Sequence, residues 1–196
     1  MQPATQTALG ADIRLLGDLL GHTIRRLAGE EAFVLEEEVR GAAKELRANP
    51  SVERARELRD RLGKLSLPEL RSLIRAFSVY FDLINLAEQQ ARVRSLRHRA
   101  TTKAGDPRAE TSEAALRQIR DRGVGPDEVA EHLASALVVP VFTAHPSEAR
   151  RRTVLEKLAA VAHQLDRLEY GQLLPDERVE AISAIGEEVE GFWLSD

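Results

Sequence analysis

One junction between two residue patterns constrains the fold of this chain more than any other feature. The apolar run 138–142 leads into Thr143-Ala144-His145-Pro146, and a charged segment with helical periodicity follows at once. A short apolar run rich in β-branched residues favours a strand, whereas apolar residues at helical spacing favour a helix. The sequence therefore predicts a strand, a tight turn and the start of a helix at this point.

The predicted turn has the features of an anion-binding site. A helix that begins directly after a strand directs its free N–H groups and the positive end of its dipole beyond the strand tip, where anions bind. Ser147 is expected to cap this helix, because a serine hydroxyl accepts a hydrogen bond from the first turn. Pro146 favours an extended backbone at His145, so we expect the imidazole to lie at the strand tip.

Three consecutive arginines, Arg150, Arg151 and Arg152, are predicted to lie in the first helical turns. Consecutive residues of a helix are about 100° apart, so at most two of the guanidinium groups can point back toward the strand tip. A guanidinium in that position makes a two-pronged contact with a phosphate or a carboxylate. From the residues alone, His145 is about as consistent with a packed histidine as with a functional one.

The segment 141–153, Val-Phe-Thr-Ala-His-Pro-Ser-Glu-Ala-Arg-Arg-Arg-Thr, closely resembles the segment of phosphoenolpyruvate carboxylases that carries a catalytic histidine. Residues 75–89 resemble the long N-terminal helix of that family, and residues 192–196 resemble its W-x-T-D-E segment, cut off after the aspartate. Ser147 and Ser195 stand where the family usually has threonine, and both keep the hydroxyl group. The resemblance covers nearly the whole chain.

The resemblance implies a mainly α fold in two parts. Residues 1–137 would form a helical N-terminal region, and residues 138–196 would form the first strand of an incomplete (β/α) barrel and the helices that follow it. In such barrels the active site lies at the carboxyl ends of the strands, which is where His145 is predicted. Since a single strand cannot satisfy its own backbone groups, the chain is expected to be part of something larger.

The resemblance also implies an activity. Family members are lyases that carboxylate phosphoenolpyruvate with bicarbonate, giving oxaloacetate and phosphate and so replenishing the tricarboxylic acid cycle. His145 would be the catalytic residue that takes the proton of carboxyphosphate, a step that suits an imidazole because its pKa of about 6.5 leaves it neutral at working pH. Arg151 and Arg152 match the family's arginine pair and are candidate substrate-binding residues.

Several further expectations come from the family. Its members require Mg²⁺, form homotetramers, are open to allosteric control by metabolites and work in the cytoplasm. They are several times longer than 196 residues, and their metal ligands and glycine-rich loop lie downstream of the matching segments. The chain is therefore expected to be an N-terminal fragment without a metal site and inactive alone. The alternative is a stand-alone helical interaction module, or a phosphate-binding regulatory module, without catalysis.

Composition excludes other classes of protein. The net charge is −4 and 31% of residues are charged, so nothing indicates a nucleic-acid partner. The longest apolar runs are far shorter than the ~20 residues of a transmembrane helix, so no membrane partner is expected. The chain has no cysteine, which rules out disulfides and thiolate metal sites and agrees with a cytoplasmic location.

Apolar periodicity, caps and breakers predict the remaining elements. Residues 1–10 are expected to be a frayed end, and Ser66 and Glu69 to form a capping box at the start of the longest helix. The inward positions of that helix are predicted to be Leu70, Leu73, Phe77, Phe81, Ile84 and Ala91. The predicted helices are approximately 13–28, 35–48, 52–62, 67–98, 112–121, 127–137, 148–170 and 175–194.

Other chemically interesting residues receive structural interpretations. Four histidines, His22, His98, His132 and His163, lack metal-ligand spacing and are predicted to be surface residues. The acidic run 36–38 is predicted to be a solvated helix face. Trp193 is expected to pack beneath the site, not to contact substrate.

Overall fold

The structure is a computed structural model that describes residues 3–102, 109, 111–141 and 151–195. These residues form α-helices and no strand, which confirms a mainly α fold. None of the described helices is both long and apolar enough to cross a bilayer. The helices are α1 (Pro3–Ala28), α2 (Glu30–Ala48), α3 (Val52–Leu62), α4 (Leu67–Thr102), α5 (Ser112–Asp121), α6 (Pro126–Ser135), α7 (Arg152–Tyr170) and α8 (Pro175–Leu194).

Caps and glycines set the helix ends largely as predicted. Gly29 alone separates α1 from α2 and has a φ of 92°, a conformation that glycine adopts without steric cost. The backbone N–H of Ser66 donates to Glu69 Oε2 at 2.7 Å, which confirms the carboxylate half of the predicted capping box. Thr111 Oγ1 accepts from the backbone N–H of Ala114 at 3.3 Å and so caps α5.

The start of α1 differs from the prediction. The helix begins at Pro3, so a frayed end over residues 3–10 is wrong. A single glycine, Gly10, costs a helix only about 1 kcal/mol. Leu9 and Ile13 on either side of it pack against the main core, and this burial offsets the cost.

The described residues divide into two compact units, one within Met1–Ser95 and Arg150–Asp196 and one within Leu96–Ala149. The main core of the first unit is formed by α1, α4, α7 and α8, and it includes Leu16, Leu83, Val161, Ile185 and Val189, each at most 2% exposed. Burial of one such side chain stabilises the fold by about 1.5–3 kcal/mol. On α8, the side chains of Ile185, Val189 and Phe192 are buried.

Helix α4 contributes to two apolar clusters of the first unit. Its residues Ala76, Val79 and Leu83 belong to the main core, whereas Leu73 packs with α2 and α3 in a smaller cluster. The prediction of one inward stripe is therefore partly wrong, since Phe81 is 55% exposed. A helix that packs on two sides buries a wider arc than one stripe, and the apolar residues left outside that arc are exposed.

The second unit contains α5, α6 and the residues that follow α6. Ala114 of α5 is buried in it. The segment after α6 was predicted to be a strand, but residues 136–141 form neither helix nor strand. A strand exists only when its backbone pairs with a neighbour, and the described residues provide no such neighbour. The predicted last strand residue, Phe142, lies outside the described residues.

Candidate functional site

His145, the residue expected to carry catalysis, lies outside the described residues, together with the rest of 142–150. The strand-tip position of its imidazole therefore stays a prediction. The same holds for Ser147 as a helix cap, although the helix described beyond this segment, α7, begins only at Arg152.

Arg151 and Arg152 occupy different structural positions at the start of α7. Arg151 is the N-cap residue, with the extended backbone angles φ −61° and ψ 144°, and makes no side-chain cap. Arg152 is the first helical residue, and its Nε lies 2.8 Å from Glu156 Oε1 one turn later. Both arginines are exposed. The expectation that both fall within helical turns is thus wrong for Arg151, whereas Arg152 is helical and pairs with Glu156.

Trp193 is a packed core residue, and its predicted position beneath the site stays a prediction. Its side chain is 4% exposed near the end of α8 and belongs to the main core. The guanidinium carbon of Arg75 on α4 lies 5.8 Å from the centre of the indole ring, within the range of a cation–π contact. The contact joins the end of α8 to α4.

The described residues offer no site that fits Mg²⁺. Nowhere among them do three or more histidine or acidic side chains come together as metal ligands. A magnesium ion requires an octahedral set of oxygen ligands, and the described residues do not bring such a set together. The four helical histidines, His22, His98, His132 and His163, are all exposed, as predicted.

The acidic run of α2 departs from the prediction of a solvated face. Glu38 is exposed, but Glu36 is only 6% exposed. Burial is the largest cause that raises the pKa of Glu36, from 4.5 to about 7; the charge of Glu37 adds to the shift and that of Arg40 opposes it. The sequence contains a signal for this burial, because Ala32, Glu36 and Val39 recur at helical spacing on one side of α2.

Glu36 lines a cavity of about 530 Å³ between α1 and α2 in the first unit. Tyr80 of α4 also lines it, and Gly17 and Gly21 of α1 leave part of its wall without side chains. The exposed charged residues along α1 at this cavity include Arg14 and Asp18. Sequence reasoning missed this site, because its residues come from three helices.

Comparison with known proteins identifies relatives over nearly the whole chain. A family model described as phosphoenolpyruvate carboxylase matches residues 9–196. The phosphoenolpyruvate carboxylase of Roseiflexus castenholzii is 43% identical over 189 residues, which cover 96% of this chain and 20% of that protein. The one from Thermus thermophilus is 43% identical over 159 residues, covering 81% and 18%, and the one from Azoarcus sp. is 35% identical over 195 residues, covering 98% and 21%.

The chain spans about a fifth of the length of these relatives. The matched residues include α1 to α8 almost completely, and they contain the histidine and arginine motif on which the resemblance was first based. On this match the chain belongs to the phosphoenolpyruvate carboxylase family.

Proposed function

We propose that this chain is the N-terminal part of an enzyme that carboxylates phosphoenolpyruvate with bicarbonate, giving oxaloacetate and phosphate, and that the chain alone is inactive. The observation that carries the proposal is the family match over residues 9–196, combined with coverage of only about a fifth of the relatives. The other groups needed for this reaction are expected in the remaining length of such an enzyme.

Residues 138–196 supply the first barrel strand and its following helices in this proposal, after a helical region at 1–137. The exposed apolar segment 137–141 supports it, since Leu137, Val138 and Val141 are 82–86% exposed. Backbone pairing with other strands would turn this segment into a strand and bury its side chains. The barrel itself would come from residues beyond those in this chain.

His145 is the proposed base that accepts the proton of carboxyphosphate. Loss of this proton aids the breakdown of carboxyphosphate to CO₂ and phosphate, after which the pyruvate enolate attacks the CO₂. Arg151 and Arg152 are proposed to help hold the phosphate group. Arg151 is the stronger candidate of the two, because the guanidinium of Arg152 already contacts Glu156.

The cofactor and partners of the proposed enzyme follow from its family. When bound, Mg²⁺ would neutralise negative charge on the substrate, with ligands outside this chain. The proposed assembly is a cytoplasmic homotetramer under metabolite control. No nucleic acid or membrane partner is proposed.

The test compares the product of the complete gene with residues 1–196, in an assay that couples oxaloacetate formation to NADH oxidation by malate dehydrogenase. We expect turnover with Mg²⁺ for the complete product and none for the 196-residue chain. Because a general base contributes about 10²- to 10⁴-fold, His145→Asn should lower kcat by that factor without lowering the melting temperature.

His163→Asn is the matched control, since His163 is an exposed residue of α7. It should leave kcat unchanged. Full activity in His145→Asn, or turnover by the 196-residue chain that survives purification, would contradict the proposal.

One observation favours a second candidate, a stand-alone helical module. Helices α1, α4, α7 and α8 share a single buried core, so the first unit has what a helical domain needs to fold alone. This candidate predicts that the complete gene product is a monomer without carboxylase activity. Phosphoenolpyruvate binding without turnover would identify the phosphate-binding form of the module.

A further inference from the structure

We propose that the cavity between α1 and α2 binds a small molecule with a primary ammonium group, which the carboxylate of Glu36 holds. The proposal does not depend on the carboxylase activity. The cavity volume of about 530 Å³ lies within the range of about 300–1,000 Å³ that is typical of small-molecule sites. Its lining comes entirely from the first unit.

Glu36 has less positive charge around it than a buried carboxylate requires. Among the described residues, the guanidinium that pairs with it is that of Arg40, whose Nε is 3.8 Å from Glu36 Oε1. That guanidinium makes three closer contacts, of 2.5–3.0 Å, with the carboxylate of Glu37. Two carboxylates of the cavity lining, those of Glu36 and Glu37, thus share the guanidinium of Arg40, and an ammonium group supplies the missing charge.

The shape of the cavity provides space for the carbon chain of such a ligand. A Cβ atom built on Gly17 meets no atom within 4 Å, so the helix backbone is bare at this point. A Cβ built on Gly21 would lie 2.9 Å from Phe33, which closes that side. Ile13 and Leu20 add apolar surface. The ligand that matches is a short alkyl chain with an ammonium group directed toward Glu36.

The outer charges of the cavity are compatible with a cation inside it. Arg14, Asp18, His22 and Arg25 of α1 are all exposed, so water screens their charges. Arg25 also lies over the ring of Phe33, 3.5 Å from its centre, and pairs with Glu30. A divalent metal fits less well, because the described residues bring no three ligands together here.

The experiment titrates the 196-residue chain with n-butylammonium chloride and, separately, with n-butanol, following backbone amide shifts by NMR. The butylammonium ion should shift residues of α1 and α2 around the cavity, and n-butanol should bind at least about tenfold more weakly because it has no charge. Affinity should rise about tenfold from pH 6 to pH 8, since the ammonium group competes with the proton of Glu36.

Two variants test the site directly. Glu36→Gln keeps the shape of the side chain and should weaken butylammonium binding at least about tenfold at pH 8. Gly17→Leu fills the cavity and should abolish binding, whereas Gly41→Leu is the matched control, because a Cβ at Gly41 also meets nothing within 4 Å and Gly41 does not line the cavity. Equal binding of n-butanol and butylammonium, unchanged binding in Glu36→Gln, or no shifts at the cavity would overturn the proposal.

Discussion

Arg94 of α4 forms an ion pair with Asp12 of α1, although 82 residues separate them in the sequence. Arg94 Nη2 lies 2.5 Å from Asp12 Oδ2, and the two side chains are only 8% and 16% exposed. Among the described residues, Arg94 Nε has no hydrogen-bond partner. Asp12 therefore compensates a buried charge that has little other support.

Replacement of Asp12 by alanine should destabilise the chain strongly. Removal of one partner from a buried ion pair leaves an uncompensated charge and costs about 3–5 kcal/mol. The measurement is the free energy of unfolding in urea, by circular dichroism. Glu156→Ala is the control, because it breaks an exposed pair with Arg152, which is worth at most about 1 kcal/mol. If both variants lost the same free energy of unfolding, the Asp12–Arg94 pair would not be the stabilising buried ion pair proposed here.

Stability should fall as the pH rises through the range in which Glu36 loses its proton. The folded pKa of about 7 lies above the ordinary value of 4.5, so between these values the folded chain holds a proton that the unfolded chain has released. Stability must then decrease from pH 4.5 to pH 7, by about 3 kcal/mol in total.

Glu36→Gln removes this titration, so at pH 8 it should be more stable than the parent chain, and near pH 4.5 the two should be similar. Urea unfolding at pH 5 and pH 8 measures the difference. Glu38→Gln, an exposed neighbour on α2, should follow the parent chain at both values. A parent chain and Glu36→Gln with parallel pH profiles would show that Glu36 is ionised at little cost.

Ile185→Ala should cost about 2–5 kcal/mol, because Ile185 is fully buried where α8 meets the main core. Val179→Ala on the same helix is the control, since Val179 is 66% exposed and a surface change of this kind is expected to stay within about 0.5 kcal/mol. Thermal unfolding of both variants separates the two effects. Similar melting temperatures would contradict the packing of α8 described above.

The segment after α6 should make the isolated chain bind hydrophobic dyes. Val138 and Val141 are 86% and 82% exposed, next to exposed Leu137 and Val139, and contiguous apolar surface of this kind attracts such dyes. Val138→Lys with Val141→Lys should reduce dye fluorescence by more than half without changing the melting temperature. Val52→Lys with Val179→Lys, two separate exposed positions, should leave the fluorescence unchanged.

Local chemistry explains why most helix ends were predictable. Proline at Pro175, the Ser66 and Glu69 pair and the glycine at Gly29 act within a few residues, so the sequence alone reveals them. The buried residues of α4 were harder to predict, because the apolar periodicity of a helix does not show whether one or two of its faces pack against other helices. The prediction of a strand at 138–142 was wrong for residues 138–141, because backbone partners, and not the local sequence, decide whether a strand forms.

The candidate sites also differ in whether local sequence or distant residues determine them. His145 could be predicted because its motif is contiguous, and its catalytic role stays a prediction. The sequence did not predict the burial of Glu36 or the ion pair between Asp12 and Arg94. Both depend on neighbours from other helices. For Glu36 alone, the helical spacing of α2 already indicated the buried side.

The single residue between α1 and α2 has a consequence for how this region can change in evolution. With Gly29 as the whole connection, the crossing of the two helices depends on one backbone conformation that other residues rarely adopt. An added residue at the start of α2 would turn that helix by about 100° and move Glu36 away from α1. Sequence drift in this region is thus expected to proceed by substitution around a fixed length, with insertions confined to other connections.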